Sequence, residues 1–156
     1  MSKFDVSAIK TVKGVLKIFQ AFINLFGAVF CLASIYSTST LYNALYNAFI
    51  SQIRFFEFVS ITGFILDLLL LAMDLVKINP KIKSMPYIEM ALDGLWILFY
   101  LIAANIIIKW VRWDGLLGVS VFCGYVAMIT YFCDALLVYK KLQITNSSSF
   151  YDFYDL

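Results

Sequence analysis

Several ionisable and polar residues lie inside long apolar stretches of this 156-residue chain. They are Lys17, Asn24, Asp67, Asp74, Asp93 and Asp134. A charged side chain at bilayer depth costs several kcal/mol unless it is paired or hydrated, so such residues mark either internal ion pairs or pathways for protons and cations. We therefore interpret these six residues as one intramembrane polar network.

The most direct pairing predicted within this network joins Lys17 to Asp93. Both residues lie about one turn inside the same membrane boundary, and we expect Lys17, together with Lys13, to neutralise Asp93 and one of the other carboxylates. A pairing that fixes helix register is the favoured interpretation, and a ligand or ion site is the alternative.

Asp67 is predicted to differ, because it lies near the middle of its apolar stretch with no basic residue at its depth. We expect a protonated, neutral carboxyl that is hydrogen-bonded to Asn24. A proton or cation relay is the alternative. Near the opposite boundary, Arg54 and Glu57 are spaced for a one-turn ion pair.

The chain shows no signature of catalysis, of a metal site or of a cofactor. It contains no histidine, which excludes a Ser-His-Asp triad, histidine-ligated metals and the usual general base near neutral pH. The net charge of +2 is too small to indicate nucleic-acid binding. The three cysteines all lie in apolar stretches and are predicted to be packing residues, although Cys133, near a boundary, is a candidate for palmitoylation.

The composition indicates an integral membrane protein. Hydrophobic residues make up 63% and charged residues 14% of the chain, against roughly 45–50% and about 25% in soluble domains. Four stretches approach the roughly 20 residues that a helix needs to cross a bilayer. They predict spans at residues 14–35, 55–76, 87–108 and 116–139, which form the membrane domain 14–139 between a terminal segment 1–13 and a tail 140–156 that we expect to be disordered.

The distribution of basic residues predicts that both termini are cytoplasmic. Nine of the twelve lysines and arginines fall in the two terminal segments, the first turns of span 1 and the connection between spans 2 and 3. Polar and small residues recur every three or four positions in each span, a pattern typical of a left-handed bundle. The predicted fold is thus an all-α, integral membrane four-helix bundle. The segment between spans 1 and 2 is expected to lie on the membrane surface or to extend span 2 outward.

Residues 88–104 read IEMALDGLWILFYLIAA, with an acid one or two turns into the third span, then Leu-Trp and a later Ala-Ala. This pattern and the four-span layout resemble the MARVEL-domain family. The chain has no long first outer loop and no paired loop cysteines, so it is most similar to short members of the myelin-and-lymphocyte or chemokine-like-factor type. The resemblance implies a non-enzymatic protein of the plasma membrane or trafficking vesicles, acting in membrane apposition, vesicle trafficking, cell junctions or fusion.

The implied partners are the lipid bilayer and other membrane proteins, and self-association into a homo-oligomer is a further candidate. The last residues place Tyr154 and Leu156 as a candidate PDZ-type ligand. The alternative function is a small proton- or cation-coupled transporter centred on Asp67, with Asn24, Asp93 and Tyr100 lining its path.

The predicted topology is testable through the sequon Asn146-Ser147-Ser148. Because we place it in the cytoplasmic tail, Asn146 should remain unglycosylated when the protein is expressed in cells that glycosylate. Mobility on gels with and without glycosidase measures this, and removal of a sugar from Asn146 would contradict the topology.

Overall fold

The computed structural model describes residues 11–38, 43–76, 84–112 and 114–151, most of which lie in four α-helices. The helices are α1 (Val12–Thr38), α2 (Asn43–Leu75), α3 (Met85–Ile107) and α4 (Gly115–Tyr151). A short 3-10 turn, Ile108–Trp110, follows α3. Pro86 lies in the first turn of α3, where a missing backbone N–H breaks no helical hydrogen bond.

Each helix is long and apolar enough to cross a membrane, which confirms the predicted four-span, all-helical architecture. The candidate spans are Val12–Ser37, Phe49–Leu75, Met85–Trp110 and Gly115–Ile144. All four are longer than the spans predicted from the sequence. Helix α2 begins at Asn43, so the described part of the segment between spans 1 and 2 extends span 2 outward, one of the two arrangements expected.

The end of α4 differs from the sequence prediction. We expected disorder from residue 140, but the helix continues to Tyr151. Residues 140–151 contain neither glycine nor proline, and a helix that is already formed adds residues without a new nucleation cost. Residues 152–156 lie outside the described ranges.

The helices pack as antiparallel neighbours around one core. Helix α1 contacts α2 and α4, and α3 contacts α4 and, less extensively, α2. We call the end where α1 and α3 begin the Lys13 end, and the opposite end the Trp110 end. Small residues in the core allow the helices to approach closely. Fully buried examples are Cys31, Ala103, Ala104 and Ala127.

The Trp110 end is held together by polar contacts between the connections. Trp110 Nε1 donates a hydrogen bond of 2.8 Å to Gln52 Oε1, and its ring packs edge-on against Phe49. Asp114 accepts hydrogen bonds from the Ser34 hydroxyl and from the backbone N–H of Leu116. Asp114 thereby caps the start of α4 and joins it to α1.

The outward faces of the helices are strongly apolar. Exposed large side chains on α1 include Phe19, Phe22 and Phe26, and similar residues line the outer faces of the other helices. In a soluble protein such a surface would be an aggregation liability. Around four candidate spans it is the surface that contacts lipid.

Gly63 marks the tightest described approach in the bundle. A Cβ atom there would lie 2.6 Å from Trp96 Nε1 and 3.0 Å from Asn24 Nδ2. Trp96 cannot withdraw easily, because its indole N–H donates to the Val59 carbonyl at 3.3 Å. Gly94, in contrast, has nothing within 4 Å of the same position.

We expect Gly63→Ala to lower the free energy of unfolding by about 1–3 kcal/mol, the usual cost of overpacking. Gly94→Ala is the matched control and should be neutral or slightly stabilising, since alanine favours helix. Unfolding in mixed micelles measures both variants, and equal stabilities would show that the Gly63 contact imposes no constraint.

Candidate functional site

The centre of the site is the ammonium group of Lys17, whose side chain is fully buried. Its Nζ lies 2.6 Å from Asp134 Oδ2, 3.4 Å from Asp93 Oδ1 and 3.8 Å from Asp67 Oδ1. The three carboxylates are also fully or almost fully buried. We call these four residues the Lys17 cluster.

Each helix contributes one member of the Lys17 cluster. Helices α1 and α3 run parallel, so Lys17 and Asp93 occupy the same depth, as predicted. Asp67 and Asp134 come from the antiparallel helices α2 and α4. Hydrogen bonds and ion pairs between charged groups are short and strong in a low-dielectric interior, so the cluster ties all four helices together.

One sequence expectation for Asp67 is corrected. We expected no basic residue at its depth, but Lys17 Nζ lies 3.8 Å from it. The flexible four-carbon stem of a lysine carries its charge well away from its own Cα, so Lys17 serves a carboxylate that lies deeper in the bundle.

The next layer consists of hydrogen bonds around Asn24. Its Nδ2 donates to Asp67 Oδ2 and to the Tyr131 hydroxyl, both at 2.8 Å, so the predicted Asn24–Asp67 bond is confirmed. Tyr131 donates in turn to Asp67 Oδ2 at 2.9 Å, and Tyr100 donates to Asn24 Oδ1 at 2.5 Å. All four side chains are buried.

The two tyrosines have larger roles than the sequence indicated. Neither belongs to the predicted network, although Tyr100 was predicted to line the path of the alternative transporter. Their rings stack with centroids 6.1 Å apart, and Lys17 Nζ lies 5.8 Å from the centroid of the Tyr131 ring. The sequence contains one indication of the role of Tyr131. It lies about one helical turn before Asp134, so the two side chains share a face of α4.

A second ionic layer lies closer to the Lys13 end. Lys13 Nζ is 2.6 Å from Glu89 Oε1 and 3.6 Å from Asp74 Oδ2. Asp74 therefore pairs with Lys13. Glu89, absent from the predicted network, is 3% exposed, while the Lys13 and Asp74 side chains are 27% and 20% exposed. This second layer is partly exposed and lies between the Lys17 cluster and the surface at the Lys13 end.

The ionic layers occupy only one half of the core. On α1 they end at Asn24, and the next buried positions are Gly27, Ala28 and Cys31, with the buried hydroxyl of Ser34 one turn further on. Phe56 and Ala103 face this region from α2 and α3. An apolar layer thus separates the Lys17 cluster from the Trp110 end.

Other predicted features fall outside the cluster. The Arg54–Glu57 pair is present at 3.8 Å, with Arg54 64% exposed. Cys31 and Cys123 are buried as predicted. The prediction is wrong for Cys133, which is exposed on the outward face of α4 and is not a core packing residue. In the described ranges, no group of three or more histidine, cysteine or acidic residues is arranged to hold a metal ion. The predicted tail motif, Tyr154 and Leu156, lies outside these ranges.

A family model described as the MARVEL membrane-associating domain matches residues 8–137. The chain belongs to the MARVEL family. The match covers the first three helices and most of α4, and it confirms the resemblance carried by residues 88–104. MARVEL domains are non-enzymatic and organise membranes, so no catalytic role falls to the Lys17 cluster. Comparisons with curated proteins and with solved structures give no match.

We expect Lys17→Met to destabilise this MARVEL protein by about 3–5 kcal/mol, because breaking a buried ion pair leaves charge without compensation. Lys13→Met, in the partly exposed layer, is the matched control and should cost less. Yield of folded protein and unfolding in mixed micelles measure both. Equal losses would contradict a central role for Lys17.

Proposed function

We propose that this MARVEL protein is a non-enzymatic organiser of membrane domains that acts in membrane apposition, vesicle trafficking, cell junctions or fusion. The observation that carries the proposal is the family match, which covers the first three candidate membrane spans and most of the fourth. The proposed location is the plasma membrane or trafficking vesicles. Such a role requires lateral contacts with lipids and proteins and needs no catalytic groups.

The distribution of side chains supports this role. Buried charges and hydrogen bonds hold the helices together from within, so the outward faces remain available for lateral contacts. On α1 the outward face carries Phe19, Phe22 and Phe26, which are 46%, 57% and 51% exposed. We propose that these aromatic side chains contact lipids and neighbouring membrane proteins, including further copies of this chain.

We further propose a left-handed bundle with both termini in the cytoplasm. Exposed Lys140 and Lys141 and the partly exposed Lys13 lie toward the same end of the bundle, and basic residues favour the cytoplasmic side. In this orientation α4 extends into the cytoplasm, and Tyr154 and Leu156 follow it as a candidate PDZ ligand.

A proton- or cation-coupled transporter centred on Asp67 is the second candidate function. The buried carboxylates favour it, because intramembrane acids often mark transport pathways. The apolar layer around Cys31 and Phe56 favours the organiser instead, since a pathway across the membrane needs polar or hydrated groups through its full length.

The organiser predicts a non-uniform distribution in a membrane with coexisting lipid phases. The full chain with a fluorescent N-terminal tag, reconstituted into phase-separated giant vesicles, should concentrate in one phase or at the phase boundary. Replacing Phe19, Phe22 and Phe26 by leucine should weaken this enrichment, because leucine preserves an apolar helix but removes the aromatic surface. Fluorescence imaging measures the partition.

Val15→Leu with Val29→Leu is the matched control, because it changes exposed aliphatic residues on the same helix and should leave the partition unchanged. A uniform distribution of the unaltered chain would oppose the organiser. A pH dye inside the same vesicles tests the alternative, because proton flux that is lost in Asp67→Asn would favour the transporter.

A further inference from the structure

The Lys17 cluster has an imbalance of formal charge. One ammonium lies among three carboxylates, so with every group ionised the cluster carries two uncompensated negative charges. The neighbouring Lys13 does not offset them, because it is paired with Glu89 and Asp74. The excess carboxylate of that second layer is a different case, since Lys13 and Asp74 are 27% and 20% exposed and water can compensate the charge there. Uncompensated charge in an interior surrounded by lipid is strongly unfavourable, and a buried acid avoids it by taking up a proton.

The hydrogen bonds show a deficit at the same carboxylates. Four buried carboxylate oxygens of the cluster accept no hydrogen bond from the described residues. Two of them, Asp67 Oδ1 and Asp134 Oδ2, lie against Lys17 Nζ at 3.8 and 2.6 Å. The remaining two are Asp93 Oδ2 and Asp134 Oδ1. A protonated carboxyl supplies an O–H donor, so protonation would provide hydrogen bonds that these oxygens lack.

Gln20 provides a further unsatisfied group beside the cluster. It lies on α1 between Lys17 and Asn24, its side chain is fully buried, and neither atom of its amide has a hydrogen-bond partner among the described residues. Leaving such a group unpaired costs about 1–3 kcal/mol. Gln20 therefore adds to the unsatisfied hydrogen-bonding groups in the same part of the core.

We propose that the Lys17 cluster is a proton-binding site that holds two protons in the folded protein. The groups that face it are Lys17 and Lys13 from α1, Asp67 and Asp74 from α2, Glu89, Asp93 and Tyr100 from α3, and Tyr131 and Asp134 from α4. The count of two follows from charge balance, so it does not depend on which carboxyls hold the protons.

The site exchanges protons through the Lys13 end of the bundle. Lys13, Glu89 and Asp74 connect it to that surface, whereas the apolar layer closes it toward the Trp110 end. Only the assignment of the Lys13 end to the cytoplasm rests on the proposed function. The binding site differs from a transporter because it is open on one side only.

The proposal predicts how stability depends on pH. Above about pH 5 the aspartates of the unfolded chain are ionised, while the folded chain retains two protons. Stability then falls as pH rises, because the folded state binds more protons than the unfolded state. For each retained proton, the unfolding equilibrium constant rises about tenfold per pH unit. With two retained protons it should therefore rise about 100-fold per pH unit in the full chain. This dependence ends at the pH where the folded protein releases its protons.

Asp93→Asn and Asp134→Asn each remove one negative charge, so the folded cluster needs one proton fewer. The unfolding equilibrium constant of each variant should then change only about tenfold per pH unit. The double variant should show almost no pH dependence. Asp74→Asn is the matched control, because Asp74 lies in the Lys13 layer, and it should retain the full dependence. Unfolding of the full chain in mixed micelles at a series of pH values measures all four variants.

Infrared absorption of the folded chain gives a second readout that requires no variant. Protonated carboxyl groups have a C=O stretch distinct from that of carboxylates, and this band should persist at pH values where exposed aspartates are ionised. Absence of the band, or a pH dependence that is equal in every variant, would overturn the proposal. Stability that responds to sodium or potassium at fixed pH would also overturn it and assign the site to a metal cation. Each of these measurements uses detergent-solubilised protein and does not depend on how the protein distributes in a membrane. If the membrane-organising role is wrong, the proton-binding site can still be confirmed or excluded.

Discussion

The architecture depends on one buried ammonium group shared by three helices other than its own. Hydrophobic attraction cannot hold these helices together in a bilayer, because lipid tails are as apolar as their side chains. The ion pairs of Lys17 determine which faces of the four helices pack together. Sliding any helix by one turn would separate a carboxylate from the ammonium, so these three ion pairs constrain the vertical register of all four helices.

The two halves of the core are stabilised by different kinds of contact. Near the Lys13 end, ion pairs and hydrogen bonds determine which residues face one another. Toward the Trp110 end, small residues such as Cys31 and Ala103 allow close backbone approach, and Trp110 with Gln52 secures the rim. Because the charged and polar groups of both halves face inward, the outward surface is apolar and is left for lipids and membrane partners.

Much of this arrangement was predictable because a membrane makes rare polar residues informative. The four spans, the Lys17–Asp93 pair and the Asn24–Asp67 bond all followed from where polar residues interrupt apolar helices. The partner of Asp74 and the reach of Lys17 to Asp67 did not, since side-chain length and helix rotation decide them and neither is visible in spacing alone. The extension of α4 was missed because its polar composition, read without the attached helix, is typical of disorder.

Helix α4 has 37 residues and a length of about 55 Å at 1.5 Å per residue, against a hydrocarbon core about 30 Å thick. Because α4 begins at the Trp110 end, this excess length extends past the first residues of α1 and α3 at the Lys13 end. A small change in the tilt of α4 therefore displaces its last turn further than any residue inside the bundle.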